Sequence, residues 1–372
     1  MKRQTGFSMV ELMVAITLAL ILTGAVVSVF IGSRTAFQAT AGVGDMSDSG
    51  RFALNLIGES ARSAGNLACN SAMTATSQTV VNGAPAVTFL NNFGLGVQGF
   101  EANGTGNPVG AIAVPAVPVV GAPANWTPNL DPAFVAAATA PGPPATLGQP
   151  VQGSDVLVLR SSAPRVAPAY TTADAAPNAL VLAVTPLPVA MPAYAAVADC
   201  TKSVIFQTGG AAAGATAVNL ITGLPGVGFS AGAVVAPLTT TVYYIGVGSD
   251  GDSSLWRLEQ PNGALNFSVP AQELVPDIEN MQVLYGIDTA GTQIASAYVT
   301  ADQVGVANVV SIQVALVVAS PPTTRQVQPA VNAACPAGPA PWCPLGNALT
   351  APVDSRVRQV FNATINLRNA VN

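Results

Sequence analysis

The sequence predicts an α+β protein in which a long N-terminal hydrophobic α-helix precedes a large, mainly antiparallel β-rich domain. Three observations predict this arrangement. The 22 residues from Leu12 to Ser33 carry no charge, and no proline precedes Pro85, although the chain has 30. From Asp155 onward, short runs of β-branched residues alternate with Pro, Gly and Ser, as is typical of strands and turns. Pro/Ala/Gly-rich stretches between those runs predict extended loops rather than helices.

Composition narrows the classes of function that the chain can serve. Its 372 residues include no histidine, and only 8% are charged, where about 25% is usual. Histidine-based zinc sites and Ser/His or Cys/His nucleophile pairs are therefore excluded. The 18 acidic residues outnumber the 13 basic ones, which disfavours binding to nucleic acid. We therefore expect neither an enzyme nor a cofactor, and no nucleic-acid partner.

The N-terminal apolar segment is long enough to cross a membrane. At about 1.5 Å per residue, the stretch from Leu12 to Ser33 spans roughly 33 Å, against a hydrocarbon core of about 30 Å. Lys2 and Arg3 precede it, so the charge bias keeps the N-terminus cytoplasmic and places the rest of the chain outside. We expect a single-pass membrane protein with its C-terminal domain on the side opposite the cytoplasm.

Glu11 argues against two simpler interpretations of this segment, a cleavable secretory signal and a plain membrane anchor. An ionised carboxylate inside a bilayer costs about 2.5–3.5 kcal/mol on insertion scales. No Lys or Arg lies between Leu12 and Ser33 to neutralise it. The apolar stretch is also longer than the 7–15 residues of an ordinary signal. The partner of Glu11 must therefore come from elsewhere.

The motif Gly6-Phe7-Ser8-Met9-Val10-Glu11, after a short basic leader, resembles the class III signal of type IV prepilins. The resemblance implies that residues 1–6 are a leader, cut after Gly6 by prepilin peptidase, and that Phe7 becomes N-methylated. It also implies that Glu11 is retained for assembly. Cleavage creates an ammonium group at Phe7, and in a stack of helices the Glu11 carboxylate of one subunit can neutralise the ammonium of a neighbour.

Beyond the membrane segment (7–33), residues 34–65 are predicted to form the periplasmic half of the same helix. Apolar residues at helical spacing continue to about Ala64, and Gly65-Asn66 provides a C-terminal stop. Glycines at 42–50 each weaken a helix by up to about 1 kcal/mol, which predicts a bend or frayed turn there. Two helices joined by a loop at 42–50 remain an alternative.

Residues 66–372 form the predicted β-rich domain, which includes a Pro/Ala-rich insertion at 85–153. We interpret the insertion as ordered loops packed over a sheet. A hairpin turn is predicted at Asp250-Gly251, and a short helix or irregular turn at 271–280. The predicted strands are 155–160, 179–184, 203–207, 241–247, 255–258, 281–287, 306–318 (buried and central) and 357–367.

The order of motifs in this domain resembles PilW-type minor pilins. A YYIG strand, a polar turn, a LWRLE strand, then QELVPDIENMQVLYGID and a terminal VFNATINLRN follow one another. The resemblance implies a type IV pilin-like fold and a role in priming pilus assembly at the tip. Implied partners are other minor pilins, the major pilin, prepilin peptidase and a tip adhesin, with relocation from the inner membrane to the pilus and roles in twitching motility and cell adhesion. A type II secretion minor pseudopilin and a membrane-anchored periplasmic or surface-exposed binding module remain alternatives.

The four cysteines predict disulfides, because their number is even and the domain lies outside the cytoplasm. Four cysteines allow three connectivities. The seven residues between Cys335 and Cys343 include prolines and a glycine that can return the chain on itself. We therefore favour Cys335–Cys343, which leaves Cys69–Cys200 by elimination. A metal site is disfavoured by the spacing and the lack of histidine.

The remaining acidic residues predict no site. Asp250-Gly251-Asp252 resembles a fragment of a calcium loop, but it lacks the other ligands and the closing Glu, so a hairpin turn is favoured. Asp277 and Glu279 are interpreted as solvated surface residues. No pair of carboxylates is singled out by spacing or context.

Overall fold

The computed structural model describes most of the chain, and the statements below concern that part. The described residues are 8–68, 70–71, 89–106, 111–163, 168–171, 181–191, 193–199, 201–221, 229–260, 267, 269–305, 308–321, 343–352, 354 and 356–368. They confirm the predicted class, a long N-terminal apolar helix followed by a large antiparallel β-rich domain.

Helix α1 runs from Met9 to Ser63 without interruption. The glycines at 42–50 do not break it, so the alternative of two helices joined by a loop is wrong. Gly65, at φ 77°, turns the chain just after the helix end, in the left-handed conformation that glycine adopts without strain. The C-terminal half buries one face at three- and four-residue spacing: Ala39, Gly42, Met46, Gly50, Ala53, Ile57, Gly58 and Ala61.

Nineteen strands and one further α-helix, α2 (Pro132–Ala137), follow in the described residues. In chain order the strands are β1 Asn66–Leu67, β2 Asn70–Ser71, β3 Val97–Ala102, β4 Ala111–Ala113, β5 Trp126–Thr127, β6 Val156–Ser162, β7 Ala169–Tyr170, β8 Val181–Ala183, β9 Tyr194–Ala198, β10 Ser203–Gln207, β11 Ala217–Asn219, β12 Val234–Val247, β13 Ser253–Gln260, β14 Gln272–Pro276, β15 Ile278–Asp288, β16 Ala297–Val299, β17 Asn308–Ala319, β18 Ala348–Thr350 and β19 Arg358–Asn366.

The larger sheet is organised around β12, which is long enough to pair with different strands along its length. Its first residues pair with β7 and β9, its middle with β6, and its C-terminal part with β13, always antiparallel. The order across the sheet is β10-β9-β12-β6-β3-β5, with β13 paired to β12 and β14 paired to β13. The predicted hairpin at Asp250-Gly251 joins β12 to β13.

The second sheet has the order β16-β15-β17-β19 and is antiparallel throughout. As predicted, β17 is a central and largely buried strand. The C-terminal half of α1 packs on β17 and β19. A Cβ atom placed on Gly50 would lie 2.5 Å from the ring of Phe361 on β19, so this close approach requires the glycine.

Alternating side chains of the larger sheet enter two separate cores. Tyr243 and Ile245 on β12 face a core shared with α1 and the second sheet, whereas Val242 and Tyr244 face the opposite side. That second core contains Trp126, contributed by the insertion. The period of two along a strand explains this division, because successive side chains point to opposite faces.

Two segments differ from their predicted structure. Residues 271–280 form strands β14 and β15 rather than a helix or irregular turn, because β14 pairs with β13 across a bulge. Asp277 separates the two strands with φ at 61°. The insertion at 85–153 is more regular than predicted, since it supplies β3, β4, β5 and α2. Asp131 caps α2 by accepting from the Ala133 N–H at 2.8 Å.

Candidate functional site

The N-terminal half of α1 exposes apolar side chains on every face. Every residue from Ser8 to Phe37 is exposed, whereas Ala39 begins the buried face of the second half. Among the described residues, α1 is the one helix long and apolar enough to cross a membrane. The exposed large hydrophobic residues of this segment are Met9, Val10, Leu12, Met13, Val14, Ile16, Leu18, Leu20, Ile21, Leu22, Val26, Val27, Val29, Phe30, Ile31 and Phe37. We call residues 8–37 the assembly segment.

Three hydroxyl groups along the assembly segment form hydrogen bonds within the helix itself. Thr17 donates to the Val14 carbonyl at 2.9 Å, Thr23 to the Ala19 carbonyl at 2.7 Å, and Ser28 to the Ala25 carbonyl at 2.8 Å. Such bonds to the preceding turn leave these three hydroxyl groups without need of water. The segment therefore suits hydrocarbon or the apolar centre of a helix bundle.

Glu11 lies in the first turn of α1, at the third position after the N-cap residue Ser8. The helix N-terminus carries partial positive charge, so an acidic side chain is favourable there even without assembly. Glu11 is exposed, and none of the described residues forms an ion pair with it. Gly6 and Phe7 lie outside the described residues, so cleavage and methylation remain expectations.

Polar contacts fix the C-terminal half of α1 to the larger sheet. Ser60 Oγ and Tyr243 Oη are 2.8 Å apart, and the Tyr243 hydroxyl also donates to the Leu56 carbonyl at 3.2 Å. Just after the helix, the Gly65 N–H donates to the Arg160 carbonyl at 2.8 Å. The assembly segment therefore extends from a helix whose other half belongs to the domain core.

A network of ion pairs joins the start of β19 to the β12–β13 hairpin and to β15. Arg358 binds Glu279 with two hydrogen bonds, at 2.7 and 2.9 Å, and Asp354 at 2.7 Å. Arg356 pairs with Asp277 and with Asp252, the latter at 2.9 Å. The prediction that Asp277 and Glu279 are solvated surface residues is therefore wrong.

The same network affects the acidic turn that resembles a calcium-loop fragment. Carboxylate oxygens of Asp250, Asp252 and Asp277 lie within 4.8 Å of one another. The Arg356 guanidinium contacts two of the three and supplies positive charge there. Beside it, hydrogen bonds from the Arg358 guanidinium hold the pKa of Asp354 below its usual range. The arrangement is that of a charge-paired hairpin turn.

A second polar cluster, missed in the sequence, connects the two sheets. The buried carboxylate of Asp155 accepts from the Ala102 N–H at 2.9 Å and from the Val283 N–H at 2.8 Å. Burial raises the pKa of Asp155 and raises the pKa of the adjacent Glu101 to about 7. The residues that contact Asp155 are far from it in the chain, so no local sequence pattern predicts the cluster.

The structure describes one of the four predicted disulfide residues. Cys343 is disulfide-bonded and 3% exposed. Cys69, Cys200 and Cys335 lie outside the described residues. The connectivity therefore stays a prediction.

Two known protein families match the chain, one at each end. The family described as Type IV Pilus-assembly protein W matches residues 242–369, from within β12 to beyond β19. The prokaryotic N-terminal methylation motif matches residues 1–27, which include Gly6, Phe7 and Glu11. No curated protein and no solved structure is detectably similar. These families are structural rather than catalytic, and they imply membrane association through α1 and interaction with other pilus components. With the apolar helix and the antiparallel domain, the two matches support a PilW-type protein of type IV pilus assembly.

Proposed function

We propose that the chain is a minor pilin that prepilin peptidase cuts between Gly6 and Phe7 and that takes part in initiating pilus assembly at the tip. Before assembly it spans the inner membrane once, with residues 66–372 in the periplasm. The observation that carries the proposal is the assembly segment, an apolar helix exposed on every face with Glu11 in its first turn. Such a surface requires lipid or other helices as its surroundings.

The energies of the segment distinguish insertion from assembly. Burying one large aliphatic side chain is worth about 1.5–3 kcal/mol, so two or three of them offset the cost of about 2.5–3.5 kcal/mol for Glu11. Insertion therefore tolerates Glu11 but does not need it. A charge that weakens insertion and is nevertheless present supports a role in contact between subunits, where the N-terminal ammonium of a neighbour is its partner.

The size of the domain supports a minor rather than a major role. About 300 residues follow α1, and a domain of that size repeated along a filament would crowd neighbouring subunits. A position at or near the tip avoids this crowding. We propose other minor pilins and the major pilin as partners along the helix bundle, and a tip adhesin as a partner of the β-rich domain.

The mature N-terminus tests the proposal. Mass spectrometry of the native chain should find N-methylated Phe7 as the first residue, and Gly6→Arg should leave the full-length chain uncut. Gly44→Ala, far from the motif, is the control and should be processed normally. A native chain that begins at Met1, or a cut chain from Gly6→Arg, contradicts the proposal.

Deletion of the gene then separates the pilus from a secretion pseudopilus. For a minor pilin we expect loss of surface pili and twitching with normal protein secretion. The opposite result would assign the chain to a type II secretion pseudopilus.

A further inference from the structure

A cavity of about 360 Å³ lies beside β3, away from the assembly segment. Residues 94–99 form one wall, and Pro128, Tyr285, Val304 and Val309 contribute to the others. None of its lining residues carries a charge. We call this cavity the β3 cleft. Its volume lies at the lower end of the range for ligand sites in proteins, about 300–1,000 Å³.

The β3 cleft lies along a strand edge that lacks a partner strand in the described part of the chain. On one edge, β3 pairs with β6 over Val97–Phe100. On the other edge, β5 pairs only with Glu101 and Ala102, and Pro128 follows at the point where β5 ends. The outer edge at residues 97–99 therefore presents backbone N–H and C=O groups to the cleft, and such an edge is a template for another strand.

A buried hydroxyl group without a partner lies at the wall of the cleft. Tyr285 is 1% exposed, and its hydroxyl oxygen makes no hydrogen bond within the described structure. A Cβ atom on Gly99, which also lines the cleft, would lie 2.1 Å from this oxygen, so the tyrosine fits only because residue 99 is glycine. Buried hydroxyl groups are almost always hydrogen-bonded, and an orphan one calls for an explanation.

We propose that the β3 cleft binds an uncharged, extended peptide segment of a partner subunit, which adds a strand at residues 97–99 and hydrogen-bonds to Tyr285. Strand addition uses main-chain hydrogen bonds for affinity and pockets for alternate side chains for specificity. The free edge supplies the main-chain hydrogen bonds, and the cavity supplies the pocket for side chains. A charged segment would lose its hydration without meeting an opposite charge, because the lining is neutral.

The identity of the partner as a pilus component rests on the proposed function, whereas peptide binding does not. The assembly segment offers helix packing to any pilin, but a strand added at β3 would select partners by the sequence of one short segment. The β3 cleft would therefore determine which subunit sits beside this domain.

Binding can be tested with the full chain in detergent and a short acetylated peptide of alternating Thr and Val. Hydrogen exchange should slow at the amides of Val97 and Gly99, which face away from β6, when the peptide is added, with saturable affinity. The same peptide with a central Pro, which cannot complete the strand, should bind at least tenfold more weakly. Equal binding of the two peptides, or protection elsewhere in the chain, would overturn the proposal.

Variants of the lining provide matched controls. Val304→Trp should fill the cleft and abolish binding, whereas Ile294→Trp, at an exposed position outside the lining, should leave it unchanged. Tyr285→Phe should keep the fold and weaken binding about tenfold by removing one hydrogen bond. Unchanged affinity in Val304→Trp would refute the site, and unchanged affinity in Tyr285→Phe would refute the role of the hydroxyl.

The binding measurement requires neither cleavage at Gly6 nor pilus assembly. A native chain that begins at Met1 but still binds the peptide would overturn the proposed function and leave the cleft assignment standing. A processed, assembled chain that fails to bind the peptide would overturn the cleft assignment and leave the proposed function standing.

Discussion

At the scale of single residues, Glu11 is the one charged group between Met9 and Ser33. Glu11→Ala should insert and be cleaved normally, because removing the carboxylate makes insertion easier by about 2.5–3.5 kcal/mol. Incorporation into pili should fall sharply, since losing one partner of a buried ion pair costs about 3–5 kcal/mol. Immunoblots of membranes and sheared pili measure both effects. Thr17→Val, one exposed position on the same helix, is the control, and normal incorporation of Glu11→Ala would contradict charge pairing.

Glu101 predicts a pH dependence of stability. Burial raises its pKa in the folded chain to about 7 from 4.5. The folded state therefore binds a proton that the unfolded state has released over this interval, and stability falls as pH rises from about 4.5 to 7. The loss is about 2–3 kcal/mol for this group, and the raised pKa of Asp155 acts in the same direction.

Glu101→Gln should flatten this dependence and raise stability at about pH 8. Chemical unfolding of the full chain in detergent, followed at several pH values between about 5 and 8, measures the difference. Glu259→Gln, with a side chain 40% exposed, is the matched control and should leave the slope unchanged. A slope in Glu101→Gln equal to that of the parent chain would mean that Glu101 does not titrate in this interval.

At the scale of elements, Gly42 and Gly50 of α1 contribute to packing and do not interrupt the helix. The sequence indicates only that Gly42 and Gly50 have low helix propensity, and so it predicts a weak point. In the structure both lie on the buried face, where small residues let the helix approach the second sheet. The cost in propensity is offset by tertiary contacts, which no local pattern reveals.

The pair Gly50→Ala and Gly44→Ala separates propensity from packing. A Cβ atom at Gly50 meets the Phe361 ring at 2.5–2.8 Å, whereas nothing lies within 4 Å of one at Gly44. Gly44→Ala should stabilise the chain by up to about 1 kcal/mol through helix propensity. Gly50→Ala should destabilise it, because overpacking costs about 1–3 kcal/mol. Thermal unfolding of both variants in detergent measures the contrast, and stabilisation by Gly50→Ala would contradict the close contact.

Strands with a clear pattern were predictable, and those defined by distant partners were not. Residues 203–207 match β10, and the predicted central strand at 306–318 overlaps β17 almost fully. In contrast, β14 and the start of β15 could not be predicted, because Pro276 and Asp277 each interrupt the apolar run. Pairing with β13 and β17 maintains the strands despite these residues.

The candidate site also contains some residues that could be predicted from the sequence and others that could not. Glu11 and the exposed apolar segment were predictable, because a charge within a long apolar run is visible in the sequence alone. The pairs of Arg356 with Asp252 and Asp277 and of Arg358 with Glu279 join residues far apart in the chain, as does the Asp155 carboxylate, with separations of about 50 to 130 positions. Spacing carries no information on such pairs, so only the fold brings them into view.

At the scale of the whole molecule, one helix belongs to two environments. Its C-terminal half is part of the core that both sheets share, and its N-terminal half is exposed on every face. A pull on the assembly segment is therefore transmitted to the domain core through the contacts of α1. Covalent links near the end of α1 would strengthen that connection.

The predicted disulfides bear on this connection, and their pairing can be measured. We expect Cys335–Cys343 and Cys69–Cys200, the second joining the chain just beyond α1 to the connection between β9 and β10. On a chain-entropy estimate the second bridge contributes about 4–5 kcal/mol, so Cys69→Ser with Cys200→Ser should lower the unfolding temperature strongly. The Cys335–Cys343 bridge closes a much shorter loop, so Cys335→Ser with Cys343→Ser should lower the unfolding temperature less. Peptide mapping without reduction identifies the pairs, and a fragment joining Cys200 to Cys343 would contradict this connectivity.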